Sequence, residues 1–279
     1  MAEDSIKRCS HRGFTRTDLA TALSVVSLLM LLLLASAGDT GTQARAAGCL
    51  SNLRRLTQAW LMYAADHRDY FPPNVDDGGQ SNWVYGNAGA LPDATNIVSL
   101  VDGRYSKLGP YSRDPTIYRC PADVSTIRSG GQTYARIRSC AANQAVGTKR
   151  DGFSPVDGPW LDGNHSHTAN RTWHTYAKLS DVVRPAPAQL WVLTDEDESS
   201  INDGGFAVSM TQPTQMIDWP GTRHNLSGVV TFADGSAEIH RWKDTRTVVR
   251  NGNVSRSLQS GNEDILWLQE RTTRLVVKQ

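Results

Sequence analysis

The sequence predicts an α+β fold: a long N-terminal helix, its first half membrane-spanning, packed on an antiparallel β-sheet with long loops. Three observations predict it. Residues 19–37, LATALSVVSLLMLLLLASA, run for nineteen positions without a charge. Leu50, Leu53, Leu56, Trp60 and Tyr63 or Ala64 then recur every three or four positions, with Arg54 and Arg55 on the opposite face, the spacing of one helical stripe. From residue 74 onward, short apolar runs alternate with Gly, Asn and Asp clusters, which suits short antiparallel strands.

The 279 residues are 39% hydrophobic and 20% charged, a globular rather than disordered composition. A net charge of +1 without a basic stripe gives no electrostatic footprint for nucleic acid. Cys9, Cys49, Cys120 and Cys140 form no CxxC pair, so no local motif supports a cysteine zinc site. In an oxidising compartment Cys120–Cys140 is the first disulfide to test, with buried free thiols an equal alternative.

The elements follow in order. Residues 1–13 are polar and carry Lys7, Arg8 and Arg12. The apolar run spans roughly 28 Å as a helix, close to a bilayer's hydrocarbon thickness, and is apolar on all faces, unlike a core helix. Ala35-Ser36-Ala37 offers a competing signal-peptidase site. Lys7, Arg8, Arg12 and Arg16 precede the run, and Arg45, Arg54 and Arg55 follow it, a slight positive-inside bias toward a cytoplasmic N-terminus. Residues 38–41, Gly-Asp-Thr-Gly, are expected to interrupt or kink the helix, which should stop before Phe71-Pro72-Pro73. Residues 190–193, LWVL, read as a buried strand ending at the acidic run Asp195-Glu196-Asp197-Glu198. Asp234-Gly235 between two alternating runs predicts a two-residue hairpin turn. It would pair Ala233 with Ser236 and Val230 with Ile239, placing Val230, Phe232, Ala237 and Ile239 on the core face.

Residues 12–19, Arg-Gly-Phe-Thr-Arg-Thr-Asp-Leu, resemble the processing junction of type IV pilins and type II secretion pseudopilins. The resemblance implies cleavage between Gly13 and Phe14 by a prepilin peptidase, methylation of Phe14, and an assembly role for Asp18 against a neighbouring subunit's N-terminal amine. Arg16 stands where that family commonly has an apolar residue, and Asp18 replaces its usual glutamate. A second resemblance is to a branch of pilin-like proteins marked by a histidine, nine residues and Asp-Gly; His224 and Asp234-Gly235 meet that spacing, with Ser236 where a histidine often follows. The organisation so implied is pilin-like: a cleaved leader 1–13, a transmembrane assembly helix 14–37, its amphipathic continuation 38–72, and a β-rich domain 73–279. It implies a structural subunit rather than an enzyme, single-pass in the bacterial inner membrane, with its N-terminus in the cytoplasm and its globular domain periplasmic. Its partners would be the prepilin peptidase and N-methyltransferase, other pilin-like subunits, an inner-membrane assembly platform and the lipid bilayer, with no nucleic acid.

No GxSxG, HExxH or phosphate-binding loop is present. A triad using His224 and Asp234 is disfavoured, because the intervening strand separates them. No cofactor is required. Asp195, Asp197, Asn202 and Asp203 are candidate Ca2+ ligands, supplying hard oxygens in one segment, against a solvated acidic loop. His165, His167 and His174 are a weaker transition-metal cluster, lacking a convincing carboxylate partner. The rival functions are a tethered or secreted glycan-binding module reading through Trp83, Tyr85, Trp160 and Trp173, and a secreted metalloenzyme released near Ala37.

Overall fold

A computed structural model of the chain describes residues 15–169, 171–248 and 256–276, with backbone alone for 31–39. The leader and the processing positions Gly13 and Phe14 lie outside the described residues. The chain separates into two compact units, Met1–Thr42 and Gln43–Gln279.

Helix α1 (Arg16–Asp66) opens on a capping box. Thr15 Oγ1 accepts from the Asp18 N–H at 3.2 Å, and Asp18 Oδ2 accepts from the Thr15 N–H at 2.9 Å. The Thr15 hydroxyl and then the Thr15 N–H, both donating to Oδ2, hold the Asp18 carboxyl below its usual range. Contrary to expectation, the helix runs through residues 38–41 without a break. A glycine lowers helix stability by about 1 kcal/mol relative to alanine but does not forbid the conformation.

Among the described residues no helix is long and apolar enough to cross a membrane. This overturns the expected membrane-spanning first half, and with it the single-pass inner-membrane placement and its cytoplasmic and periplasmic sides. The described side chains of that part run from Thr15 to Met30 and include Arg16 and Asp18. Thr17, Thr21, Ser24 and Ser27 interrupt its leucines and valines. The expected plan of one long helix, half in a bilayer and half on a sheet, is corrected accordingly; the core of the larger unit takes from α1 only residues from Ala46 onward.

The larger unit continues through α2 (Ile97–Val101), α3 (Gly109–Ser112), β1 (Thr126–Ser129), β2 (Gln132–Ala135), β3 (Cys140–Asn143), β4 (Trp191–Asp195), β5 (Gly205–Phe206), β6 (Gln215–Met216), β7 (Ser227–Phe232), β8 (Ala237–Arg241), β9 (Ser257–Leu258) and α4 (Glu263–Thr272). Five strands form the main sheet in the order β5-β3-β4-β7-β8, flanked by two-stranded ladders β1-β2 and β6-β9. Only the β3–β5 pairing within the main sheet is parallel.

The stripe on α1 docks on one face. Cys49, Leu53, Leu56, Trp60 and Tyr63 cluster with Leu193 and Val229 of the sheet and with Trp83 and Tyr118 from the loops, while Arg54 and Arg55 stay exposed. On the other face Ala141, Trp191, Phe206, Val230 and Phe232 pack with Trp242 and with Leu268 of α4. Asn262 caps α4 by accepting from the Asp264 and Ile265 N–H groups.

The hairpin forms one residue out of the expected register: Val229 faces Ile239 and Val230 faces Glu238. The Phe232 N–H donates to the Ser236 carbonyl, closing a three-residue loop in which Gly235 takes φ +86°. Asp-Gly serves this loop as well as the two-residue turn, since glycine meets the positive φ that either requires. The slip moves Ile239 away from Val230 and leaves it exposed, while β7 is buried on both faces.

Trp60 lies within ring contact of Phe71 and Trp83 and is fully buried. Trp60→Ala is expected to lower stability by about 3–5 kcal/mol, whereas the exposed Arg54→Ala should stay within about 0.5 kcal/mol. Guanidinium unfolding with unchanged slope checks both.

Candidate functional site

Four side chains from distant parts of the sequence meet beneath α1. Cys49 belongs to the helix stripe, four residues before Leu53. Cys120 follows the 3₁₀ turn Pro115–Tyr118, where the Ser139 hydroxyl accepts from its N–H at 2.8 Å. Asp195 ends β4, and His224 sits in the turn before β7. Their ligand atoms all lie within 4.8 Å of one another, and none of the four residues is more than 4% exposed.

Cys120 Sγ is 3.2 Å from His224 Nε2. The Cys120 thiol is pulled down to about 5, first by its hydrogen bond with Cys49 and then, against burial, by His224. Cys49 is pushed up by the same bond and by burial. Burial opposes a charge on His224, but hydrogen bonding and attraction to Cys120 outweigh it and raise the imidazole. Burial pushes Asp195 up to about 6 despite Arg223. Its Oδ1 accepts from the Val229 N–H at 2.7 Å, while its Oδ2 and His224 Nδ1 are buried without a hydrogen-bond partner.

A thiol beside an imidazole is the pairing of a nucleophile and its base. Here Cys120 is 1% exposed although an open cleft of about 890 Å³ lies outside it, and no third group orients His224 Nδ1. The chemistry available to the cluster is ligation: two sulfurs, an imidazole and a carboxylate.

The two ends of the His-x9-Asp-Gly signature do different jobs. The six residues of β7 intervene, a rise of roughly 20 Å. His224 joins the buried cluster, whereas Asp234 Oδ1 accepts from the Ser236 N–H and hydroxyl and shapes the hairpin loop. Of the two alternatives for the cysteines, the buried free thiols are found: Cys49, Cys120 and Cys140 are free and buried, and the Cys140 thiol donates to the Tyr118 carbonyl.

The acidic run is largely interior, with Asp195 and Glu196 fully buried. The four calcium candidates take separate positions. Asp195 joins the cysteines, Asp197 Oδ1 accepts from the Ser199 N–H, the Asn202 carbonyl accepts from Arg138, and Asp203 accepts from the Asp77 and Gly205 N–H groups. Two of the three histidines converge, and the missing carboxylates prove to be Asp76 and Asp77. His165 Nε2 lies 2.5 Å from Asp76 and His167 Nε2 3.2 Å from Asp77. His174 packs on Tyr176 instead. Of the aromatic glycan readers, Trp83 is core, stacked on Tyr118, and Trp160 is covered by His165 and Arg256.

Compared with known proteins, the chain matches no family model, no curated protein and no solved structure.

Burial, and then repulsion from Asp76, pushes the Asp203 carboxyl up to about 6. A carboxylate raised on folding binds more protons in the native state, so its contribution to stability falls as pH rises from about 4 to about 6. That fall, on the order of 2–3 kcal/mol, is expected to shrink in Asp203→Asn. Urea unfolding of both proteins at pH 4 and pH 7 checks it.

Proposed function

We propose that the chain is a pilin-like structural subunit, matured between Gly13 and Phe14 by a prepilin peptidase, methylated at Phe14, and assembled with other pilin-like subunits through α1. The observation that carries this reading is the uncovered apolar surface of the helix. Leu23 is 60% and Met30 62% exposed, and Leu19, Val25, Val26, Leu28 and Leu29 are exposed as well. Consecutive residues of this kind face most directions, and past Asp18 only the hydroxyls of Thr21, Ser24 and Ser27, with no charge, relieve them as far as Met30. An apolar surface of that extent marks an interaction site, and copies of the same helix satisfy it by packing side by side.

Asp18 supports the reading through its charge. Its engagement with Thr15 favours the ionised carboxylate, the form that would pair with a neighbour's terminal amine. The role asks for no catalysis by this chain.

Mass spectrometry of the mature chain from cells with and without prepilin peptidase is expected to find methylated Phe14 at the N-terminus only where the peptidase is present. A start near Gly38 sinks the reading. Leu28→Glu should abolish cross-linking between copies through a cysteine placed at position 23, and Asp18→Ala should reduce it while leaving cleavage intact. Undiminished cross-linking in both variants would remove the assembly role.

A further inference from the structure

We propose that Cys49, Cys120, Asp195 and His224 bind one zinc ion in a closed structural site that fastens α1 to the sheet. The donor set selects the metal. Thiolates with imidazole and carboxylate suit zinc, whose structural sites are four-coordinate and keep no open position. Four protein donors are present, and their burial leaves no place for a substrate.

The spacing fits. In a tetrahedral site with zinc–sulfur bonds near 2.3 Å and zinc–nitrogen or zinc–oxygen bonds near 2.0 Å, donors lie roughly 3.3–3.8 Å apart. The four donor atoms here are mutually within 4.8 Å, and the Cys120 sulfur and His224 Nε2 are 3.2 Å apart. Small side-chain rotations close the remainder.

An independent observation comes from the carboxylate. Asp195 Oδ2 is completely buried with no hydrogen-bond donor, and its nearest cation, Arg223 Nη1, stands 3.7 Å away. A buried polar atom without a partner is destabilising, and more so when charged. The backbone is shaped to tolerate the group: a Cβ at Gly221 would fall 2.4 Å from Oδ2, and one at Gly228 would fall 2.9 Å from Oδ1. Zinc supplies the missing partner.

The charge closes too. A dication with two thiolates and one carboxylate carries a net charge of −1, and Arg223 stands beside it. Arg223 is in turn held by Glu198 at 2.8 Å and by the Glu196 carbonyl at 2.9 Å. Binding releases the thiol protons. A Cys49–Cys120 disulfide is the rival use of the same sulfurs, but it leaves Asp195 Oδ2 without a partner.

The test is multi-element mass spectrometry of the purified full chain, prepared without chelator, with thiol counting under denaturing, non-reducing conditions. Expected are about one zinc per chain and four reactive thiols, those of Cys9, Cys49, Cys120 and Cys140. Cobalt exchange should give a thiolate-to-cobalt charge-transfer band. Cys120→Ser and His224→Ala should lower bound zinc at least tenfold, while Cys140→Ser, whose thiol bonds a carbonyl, should keep it. Chelation should lower the wild-type melting temperature, and zinc alone should restore it. Should the ligand variants fail to fold, the wild-type metal count and cobalt spectrum decide. A folded wild-type chain without stoichiometric metal, one holding a different metal, or a Cys49–Cys120 disulfide would each overturn the proposal.

Discussion

The main sheet of the larger unit has no wet face across its middle. The later part of α1 covers one side of β4 and β7, and α4 with Trp191, Phe206 and Trp242 covers the other. Every polar group carried by these strands must therefore find its partner inside the fold. Thr57 of α1 donates to Thr231 of β7 at 2.7 Å, a polar contact within an otherwise apolar helix–sheet seam. Asn143, at the end of β3, donates to the Trp191 and Thr272 carbonyls and ties sheet to α4. Cooperative packing of this kind makes one displaced side chain felt across both faces.

The same constraint explains the buried charges. Arg138 is 2% exposed and meets no carboxylate; its guanidinium donates to the carbonyls of Cys140, Gly86 and Asn202, gathering two loops onto the start of β3. Arg223 instead faces acids, with Asp195, Asp123 and Glu198 around it. Interior acids and bases are thereby divided between carbonyl cradles and ion pairs. The carboxyl oxygens left over, Asp195 Oδ2 and Glu196 Oε2 among them, mark where the protein's own atoms fall short.

The later part of α1 was legible because its burial is one-sided: a 3.6-residue stripe with arginines opposite can have only one docking face. β4 was legible as an unbroken apolar run. The hairpin was legible, but not its register, since Asp-Gly closes two loop lengths equally well. Nor was the covering of β7 on both faces, because Val229 and Thr231 read as outward residues until α1 is placed over them. The acidic run misled for the opposite reason. Four acids in sequence suggest water, yet Asp195 and Glu196 close a buried strand and inherit its burial. The cysteine–histidine cluster had no local signal, since its members come from a helix, a loop, a strand end and a turn. Two traces existed: a cysteine on the core stripe of α1, and the histidine of a signature whose Asp-Gly half is fully explained by a turn.

The contact between Thr57 and Thr231 spans 174 positions, and that between Cys120 and His224 spans 104. The later part of α1 is made well before the strand it rests against. A nascent chain must therefore leave the sheet-facing side of Leu53, Leu56 and Trp60 uncovered until β7 emerges, and pairings this distant close slowly. During that interval the apolar stripe is a surface for a chaperone to hold, and the arrival of β7 closes the core over it.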